Sequence, residues 1–245
     1  RSDRPENRRR PAAFVLDPVF MTRHPFDPEP DDLPGELALF PLTGALLLPR
    51  GRLPLNIFEP RYLAMTRHAL AHGRLIGLIQ PMAEGQPGLS APDATPLYPI
   101  GCAGRIVAFQ ETDDGRYQIT LRGVCRFTIA AELSMVDGFR RARPDFEPFP
   151  GDLVEAPDGG IDRERLLASL RGYFELQNIE ADWASIERTP DERLVTTLAM
   201  VCPFDPAEKQ ALLESTDLAG RAKLLIGLVE TALREDDNGA PSTIN

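Results

Sequence analysis

The sequence predicts an α+β protein in two parts, a β-rich, partly closed barrel lobe with one helix and then a small C-terminal helical bundle. Three observations carry this reading. Between residues 37 and 146, short apolar runs and a period-two alternation dominate, which is strand patterning. From 161 to 235 the apolar residues recur at helical spacing instead. Between them lies "EPFPGDLVEAPDGG" (147–160), whose Pro, Gly and acidic content marks a linker. The organisation expected is a disordered tail over 1–33, a β-rich lobe over 34–148, a linker over 149–160, a helical bundle over 161–235 and a disordered tail over 236–245.

Residues 1–33 carry Arg1, Arg4, Arg8, Arg9 and Arg10, then several Pro, Asp and Glu, and lack apolar periodicity, hence the tail. Met21 is a candidate natural start, with residues 1–20 added ahead of it. "LALFPL" and "GALLLP" read as two short buried strands separated by a turn at Thr43-Gly44. A helix of about three turns is expected after Pro60, because proline lacks only the N–H that a first helical residue leaves unpaired anyway. "RLIGLIQPM" (74–82) is another buried strand, and "AEGQPGLSAPDATP" (83–96) an exposed loop. "IGCAGRIVAFQE" and "RYQITLR" form a hairpin, with Asp114-Gly115 a favoured type I′ pair. In the second strand Tyr117, Ile119 and Leu121 alternate with polar residues. Gly123 marks a bulge, after which Cys125, Phe127 and Ile129 continue one apolar face. "GFRRARPDF" (138–146) is a further strand, giving five to seven in all.

In the second part, Leu166, Leu167, Leu170, Tyr173, Phe174 and Gln177 make a helical stripe that starts at Asp162. "TPDE" (189–192) spells a capping box: Thr189 caps, Pro190 opens the helix and Glu192 reaches back. That helix presents Leu194, Leu198 and Val201 to the core and stops at Pro203. "DPAE" (205–208) repeats the signal with Asp205 as cap. A last helix runs from about Asp217 to Arg234, with Leu218, Ala222, Leu225, Val229 and Ala232 facing inward. Four or five helices are expected.

Most chemistry is excluded by what the motifs lack. Lys209 is followed by Gln210 and Lys223 by Leu224, so neither builds a P-loop; G-x-G-x-x-G and G-x-S-x-G do not occur. His68 and His72 share a helix face, but Ala69 stands where a zinc hydrolase needs glutamate, so no metal site is expected. No cofactor is implied. Cys102, Cys125 and Cys202 are far apart and odd in number, which fits small buried hydrophobes in a reducing compartment. No apolar run is long enough for a membrane helix, and a cytoplasmic, soluble protein is expected. A net charge of −10 disfavours nucleic acid and anionic lipid.

One long stretch is more specific than any of these motifs. "LALFPLTGALLLPRGRLPLNIFEPRYLAMTRHAL" resembles the Lon N-terminal, or substrate-binding, domain family, through Leu-Phe-Pro-Leu (39–42), Leu-Pro (48–49) and "LPLNIFEPRY" (53–62). "LAMVCPFDPAEKQALLESTDLAGRAKLL" is similar to the helical part of the same family, so that the resemblance spans about 36–234 and looks closest to stand-alone bacterial members. It implies a PUA-like β lobe followed by a helical bundle. It also implies a non-catalytic domain that recognises unfolded or partner polypeptides in protein quality control or proteolysis, with no ATPase or peptidase chemistry of its own.

One departure concerns the first turn. Relatives commonly carry Pro-Gly, whereas Pro49-Arg50-Gly51 favours a type I turn with Gly51 fourth and Arg50 as an added surface charge. Asn56 stands where relatives often have histidine. By the family match, Phe58, Glu59, Arg61 and Tyr62 are the candidate partner-binding residues. Read locally, the same stretch is a strand-to-helix joint, with Phe58 and Tyr62 as core anchors and Glu59 and Arg61 as an ion pair around Pro60. Two other functions are compatible with the sequence. One is an RNA-binding PUA-like protein using a strip of Arg122, Arg126, Arg140, Arg141 and Arg143. The other is an ATP-independent hydrolase with paired carboxylates in a cleft. A weak homo-oligomer is also left open.

Overall fold

The computed structural model describes residues 26, 28–82, 92, 94–154 and 160–239, with side chains to 236. The proposed start at Met21, most of the N-terminal tail and most of the 83–96 loop lie outside the described residues. Six strands and six α-helices are described: β1 (Leu37–Pro41), β2 (Arg52–Ile57), α1 (Pro60–Ala71), β3 (Leu75–Ile79), β4 (Ile100–Glu111), β5 (Tyr117–Val136), β6 (Phe139–Asp145), α2 (Arg163–Leu176), α3 (Trp183–Arg188), α4 (Asp191–Val201), α5 (Pro206–Glu214) and α6 (Leu218–Gly239).

The sheet runs β2-β5-β4-β3-β1-β6, and β6 returns to pair with the far half of β5. Five strands therefore close into a ring, with β2 appended to the first half of β5 and paired with no other strand among the described residues. Only β1 and β3 are parallel, as two strands joined through β2 and α1 can be. β1 is buried at every position because both of its faces are covered: Leu37 and Leu39 point into the ring, while Ala38 and Phe40 join a larger core shared with the helices. That double burial explains the unbroken apolar run of "LALF".

β5 bends through a bulge. Gly104 pairs with Gly123 but Ala103 pairs with Cys125, which leaves Val124 as the extra residue. Gly123 is also where the 48–49 backbone crosses the sheet; a Cβ there would lie 2.0 Å from the Leu48 carbonyl oxygen.

Several local expectations are corrected. "GALLLP" is buried, as its composition demands, but it is not a strand; only Pro49 makes an isolated bridge, to Gly123. The β4–β5 hairpin forms around Asp114-Gly115, yet only Gly115 has positive φ (+79°), and its N–H donates to the Thr112 carbonyl. This is a three-residue loop ending in a left-handed glycine rather than a type I′ turn. The type I′ geometry occurs one hairpin later: Asp137 and Gly138 both have positive φ between paired Val136 and Phe139.

The helices begin largely where their caps predict. Asp162 accepts from the Arg165 N–H at α2, and Asp205 and Glu208 form a reciprocal capping box at α5. The box expected at α4 does not form. Thr189 Oγ1 donates to the Ser185 carbonyl, and Glu192 is drawn away to Arg50 across the lobe boundary. Val201, expected inward, is 57% exposed. α6 continues to Gly239, into the stretch expected as a tail.

α5 sits against β4, and the contact is polar as well as apolar. Gln80 Nε2 donates to the Pro206 carbonyl (2.8 Å), Gln210 Nε2 to the Ile100 carbonyl (3.1 Å) and Lys209 Nζ to the Gly44 carbonyl (2.9 Å). The main hydrophobic core runs through both parts, from Phe40 and Leu48 to Leu198 and Val229.

Candidate functional site

The stretch 53–62 is assembled by β2 and the first turn of α1. Leu53, Leu55 and Ile57 share one face of β2 by its period of two. Pro54 is tolerated because β2 is an edge strand. Pro60 then opens α1, its fixed φ suited to the first helical position. The outcome for the four candidate residues is mixed. Tyr62 is a core anchor, 3% exposed, with its ring 4.5 Å from that of Phe40. Glu59 and Arg61 form the expected ion pair (3.0 Å), and the Arg61 guanidinium also lies over the Tyr62 ring at 4.7 Å. Phe58 corrects the local reading. It is not in the core but 55% exposed, with the Arg116 guanidinium 6.0 Å from its ring.

Phe58 stands at the mouth of a cleft of about 390 Å³. Its walls are Phe40, Leu42, Ala45, Leu53, Leu55, Ile57 and Tyr62, and Asn56 and Glu59 supply its polar groups. Three of the four candidates thus border one cavity, and Arg61 reaches it only through Glu59 and Tyr62. A shallower groove of about 510 Å³ runs over β2, β4 and β5, along Pro54, Ala108, Phe109 and Thr120; Leu55 and Asn56 border both. Phe109, 38% exposed, packs against Tyr117 with ring centres 5.0 Å apart. Phe109 and Tyr117 were not singled out from sequence. The sequence placed Tyr117 only on the apolar face of its strand, and the exposure of Phe109 is set by the sheet rather than by its neighbours in sequence.

A second group of side chains joins the lobes. Arg50 has φ +63° at the third position of the Leu48–Gly51 turn, closed by the Gly51 N–H on the Leu48 carbonyl (2.9 Å). The turn is therefore type II, not type I, and arginine occupies the left-handed position that glycine would fill without strain. The reason is visible in its side chain. Nε and Nη2 donate to Glu192 Oε1, and Nη1 to the Asp152 carbonyl. Arg50 is thus an inter-lobe clasp rather than a surface charge.

Arg126 lies beneath it, 4% exposed, and chelates Asp152 (2.8 Å for both Nε and Nη2). Its Nη1 reaches the Leu213 carbonyl at 3.0 Å and the Ser215 carbonyl at 2.5 Å. Burial pulls the Arg126 pKa down, but the hydrogen bond and charge of Asp152 more than offset it, so the net shift is upward. Arg221 lies close by, and burial together with the Arg126 charge pushes its pKa down to about 10.

Of the five arginines in the sequence's basic strip, Arg143 is exposed and the other four are buried or engaged. Arg122, Arg126 and Arg140 are buried, Arg126 with Asp152 and Arg140 with Glu132, while Arg141 pairs with Glu36. His68 and His72 stack with ring centres 4.3 Å apart; burial first, then His72 and Arg141, lower the His68 pKa. No group of three metal-ligating side chains occurs among the described residues. The three cysteines are free and buried, and burial pushes the Cys125 and Cys202 thiols up to about 12. No described helix is long and apolar enough to cross a membrane.

The architecture is thus a closed β ring with an apolar edge cleft, locked to a helical bundle through Arg50 and Arg126. The chain belongs to the family of ATP-dependent protease La (LON) substrate-binding domains, whose model matches residues 36–231. It is 29% identical over 206 residues to Lon protease 2 of Myxococcus xanthus, covering 81% of this chain and 24% of that protein. It is 27% identical over 219 residues to Lon protease 2 of Sorangium cellulosum, covering 85% and 26%. The chain thus spans about a quarter of the length of these curated relatives. The fold is similar to the crystal structure of a Lon N-terminal domain protein from Xanthomonas campestris, with a TM-score of 0.53 and 24% identity over 78% of this chain and 97% of that one. It is also similar to the N-terminal domain of Mycobacterium avium complex Lon protease, with a TM-score of 0.53 and 20% identity over 80% and 98%.

Proposed function

We propose that this chain is a non-catalytic polypeptide-binding module that holds an extended apolar segment and acts as an adaptor in cytoplasmic protein quality control. The observation that carries this reading is the 390 Å³ cleft with Phe58 55% exposed at its mouth. An exposed aromatic beside a mostly apolar cavity costs solubility and is retained where a partner covers it. β2 is the last strand of the sheet among the described residues, so a bound chain can add main-chain hydrogen bonds to it while its side chains enter the cleft. Pro54 removes one donor from that edge, which limits pairing with a second copy of the strand. The family description, substrate-binding, supports the same reading. Asp152 and Glu192 are engaged as acceptors by Arg126 and Arg50, a structural use that favours binding over hydrolysis.

The test is fluorescence anisotropy with labelled unfolded casein as the probe. Phe58→Ala is expected to weaken binding roughly tenfold, the loss of one aromatic anchor, while the melting temperature stays close to that of the parent. Equal affinity of the parent, Phe58→Ala and Phe58→Asp would remove the cleft from the reading.

A further inference from the structure

A cleft of about 410 Å³ opens between the β lobe, the 148–154 stretch and the start of α6. Phe149, Val154 and Leu218 give it apolar walls, and Arg50, Arg126 and Arg221 also line it. Two of these arginines are spent, Arg50 on Glu192 and Arg126 on Asp152. Arg221 is not. It is 7% exposed, and its Nε donates to the Leu212 carbonyl (2.9 Å). Its two Nη nitrogens have no hydrogen-bond or ion-pair partner among the described residues. They are not among the fully buried unsatisfied atoms either, so the cleft is what reaches them.

A guanidinium stripped of water on most sides, with donors left over, is an unfinished interaction. Its lowered pKa has the same origin, since burial and Arg126 both act against its charge. A bound anion would relieve both. The first residues of the 22-residue helix α6 border the same space, so that the helix N-terminus adds partial positive charge. The acids in the wall do not fill the role. Asp152 and Glu192 favour the Arg221 charge through space but are bonded to the other two arginines, and Asp217 Oδ1 accepts from the Gly220 N–H (2.7 Å).

We propose that this cleft is an oxyanion subsite built around Arg221, and that it takes the carboxylate at the C-terminal end of a polypeptide whose last residue is apolar. Planar, forked donors match a carboxylate, and the Phe149, Val154 and Leu218 walls match the side chain beside it better than they match a bare phosphate. The assignment rests on the polypeptide-binding reading only for the source of the carboxylate. Its place, between the lobes, is separate from the Phe58 cleft.

The experiment is isothermal titration of the full chain with an N-acetylated hexapeptide ending in leucine, as the free acid and as the C-terminal amide, and with inorganic phosphate. The free acid is expected to bind roughly tenfold or more tightly than the amide, as loss of a charge-assisted hydrogen bond implies. Arg221→Gln should abolish that difference. Because Arg221 also holds Leu212, Val154→Asp serves as a second variant: Val154 is 66% exposed, so a carboxylate there repels the ligand at the cleft mouth without burying a charge. It should weaken the free acid and leave the amide unchanged. Equal binding of acid and amide, or indifference of the acid to both variants, would overturn the proposal while leaving the Phe58 cleft untouched. Phosphate binding with no peptide binding would overturn the chain terminus as the source. Casein that still binds through Phe58 in Val154→Asp would show the two sites to be independent.

Discussion

Replacing Arg50 by alanine and by glycine separates two effects that the native residue combines. Arg50 pays for a left-handed backbone (φ +63°) and recovers more through Glu192 and the Asp152 carbonyl. The side chains of the pair are 17% and 10% exposed, so it lies nearer the buried limit than the surface one. Removing one member of a fully buried pair costs about 3–5 kcal/mol, and an exposed pair is worth about 0–1 kcal/mol. For this exposure, Arg50→Ala is expected to lose about 2–3 kcal/mol, since alanine keeps the backbone cost and leaves Glu192 uncompensated. Arg50→Gly loses the same contacts but escapes the left-handed penalty of about 1–2 kcal/mol, at an entropic cost of about 0.5–1 kcal/mol. It should therefore be more stable than Arg50→Ala by about 1 kcal/mol.

The assay is urea unfolding followed by circular dichroism and by fluorescence of Trp183. Because one hydrophobic core runs through both lobes, the two probes should report one coincident transition in the parent. Trp183 belongs to the bundle, packed on Phe174 with ring centres 5.6 Å apart. Loss of the inter-lobe clasp should therefore appear at this probe as well as in the strands. Glu192→Gln in the Arg50→Ala background should restore part of the loss, because it removes the stranded charge. The reasoning fails if Arg50→Ala unfolds at the parental urea concentration, or if glycine is no better than alanine at this position.

Three other outcomes follow from the same packing. Gly123→Ala should fail to accumulate as folded protein or lose about 4 kcal/mol, read by thermal unfolding, because its Cβ would lie 2.0 Å from the Leu48 carbonyl oxygen. Under native conditions Cys102, Cys125 and Cys202 should resist a thiol-specific disulfide reagent at pH 8 and react together once unfolded; burial raises all three pKa values, Cys125 and Cys202 to about 12. His68 is held below the ordinary histidine value of 6.5 by burial, His72 and Arg141, so the folded state takes up its proton later than the unfolded chain. The stability it contributes is present above pH 6.5 and is lost as pH falls through the lower folded value, and melting temperatures of His68→Gln should fall less than the parent's between pH 7 and 5.

Where sequence reading succeeded, the signal and its cause lay within a few residues of each other. "DPAE" caps α5 because Asp205 and Glu208 find partners within one turn. Pro60 opens α1 for reasons internal to proline. The bulge near Gly123 and the alternation through Ile119 and Leu121 are likewise local. Phe58 was misplaced because an aromatic beside apolar residues reads as core unless the fold leaves its side open, and whether β2 has a neighbour is a property of the whole sheet. Burial of "GALLLP" was legible, but its backbone conformation was not, because a covered segment can satisfy its polar groups without a strand partner.

The failed capping box shows why the inter-lobe cluster stayed hidden. Thr189 and Glu192 have the right types at the right spacing, and in an isolated helix Glu192 would return to the cap. Here it meets Arg50, a charged donor 142 residues earlier in the chain, while the Thr189 N–H is taken by the Ile186 carbonyl at the end of α3 (3.1 Å). The same contact explains the turn. Pro49-Arg50-Gly51 prefers type I locally, but only type II points the arginine at Glu192 and the Asp152 carbonyl. One long-range contact thus takes part in two departures from local preference, in different lobes, and each looks like an isolated misreading until the partner is seen. It follows that Arg50→Ala strands the Glu192 carboxylate without giving it a cap to return to, because the Thr189 N–H stays with the Ile186 carbonyl. Hydrogen exchange at Thr189 should therefore not slow in the variant. Slower exchange there would show that Glu192 competes with Ile186 for this donor and would overturn the reasoning.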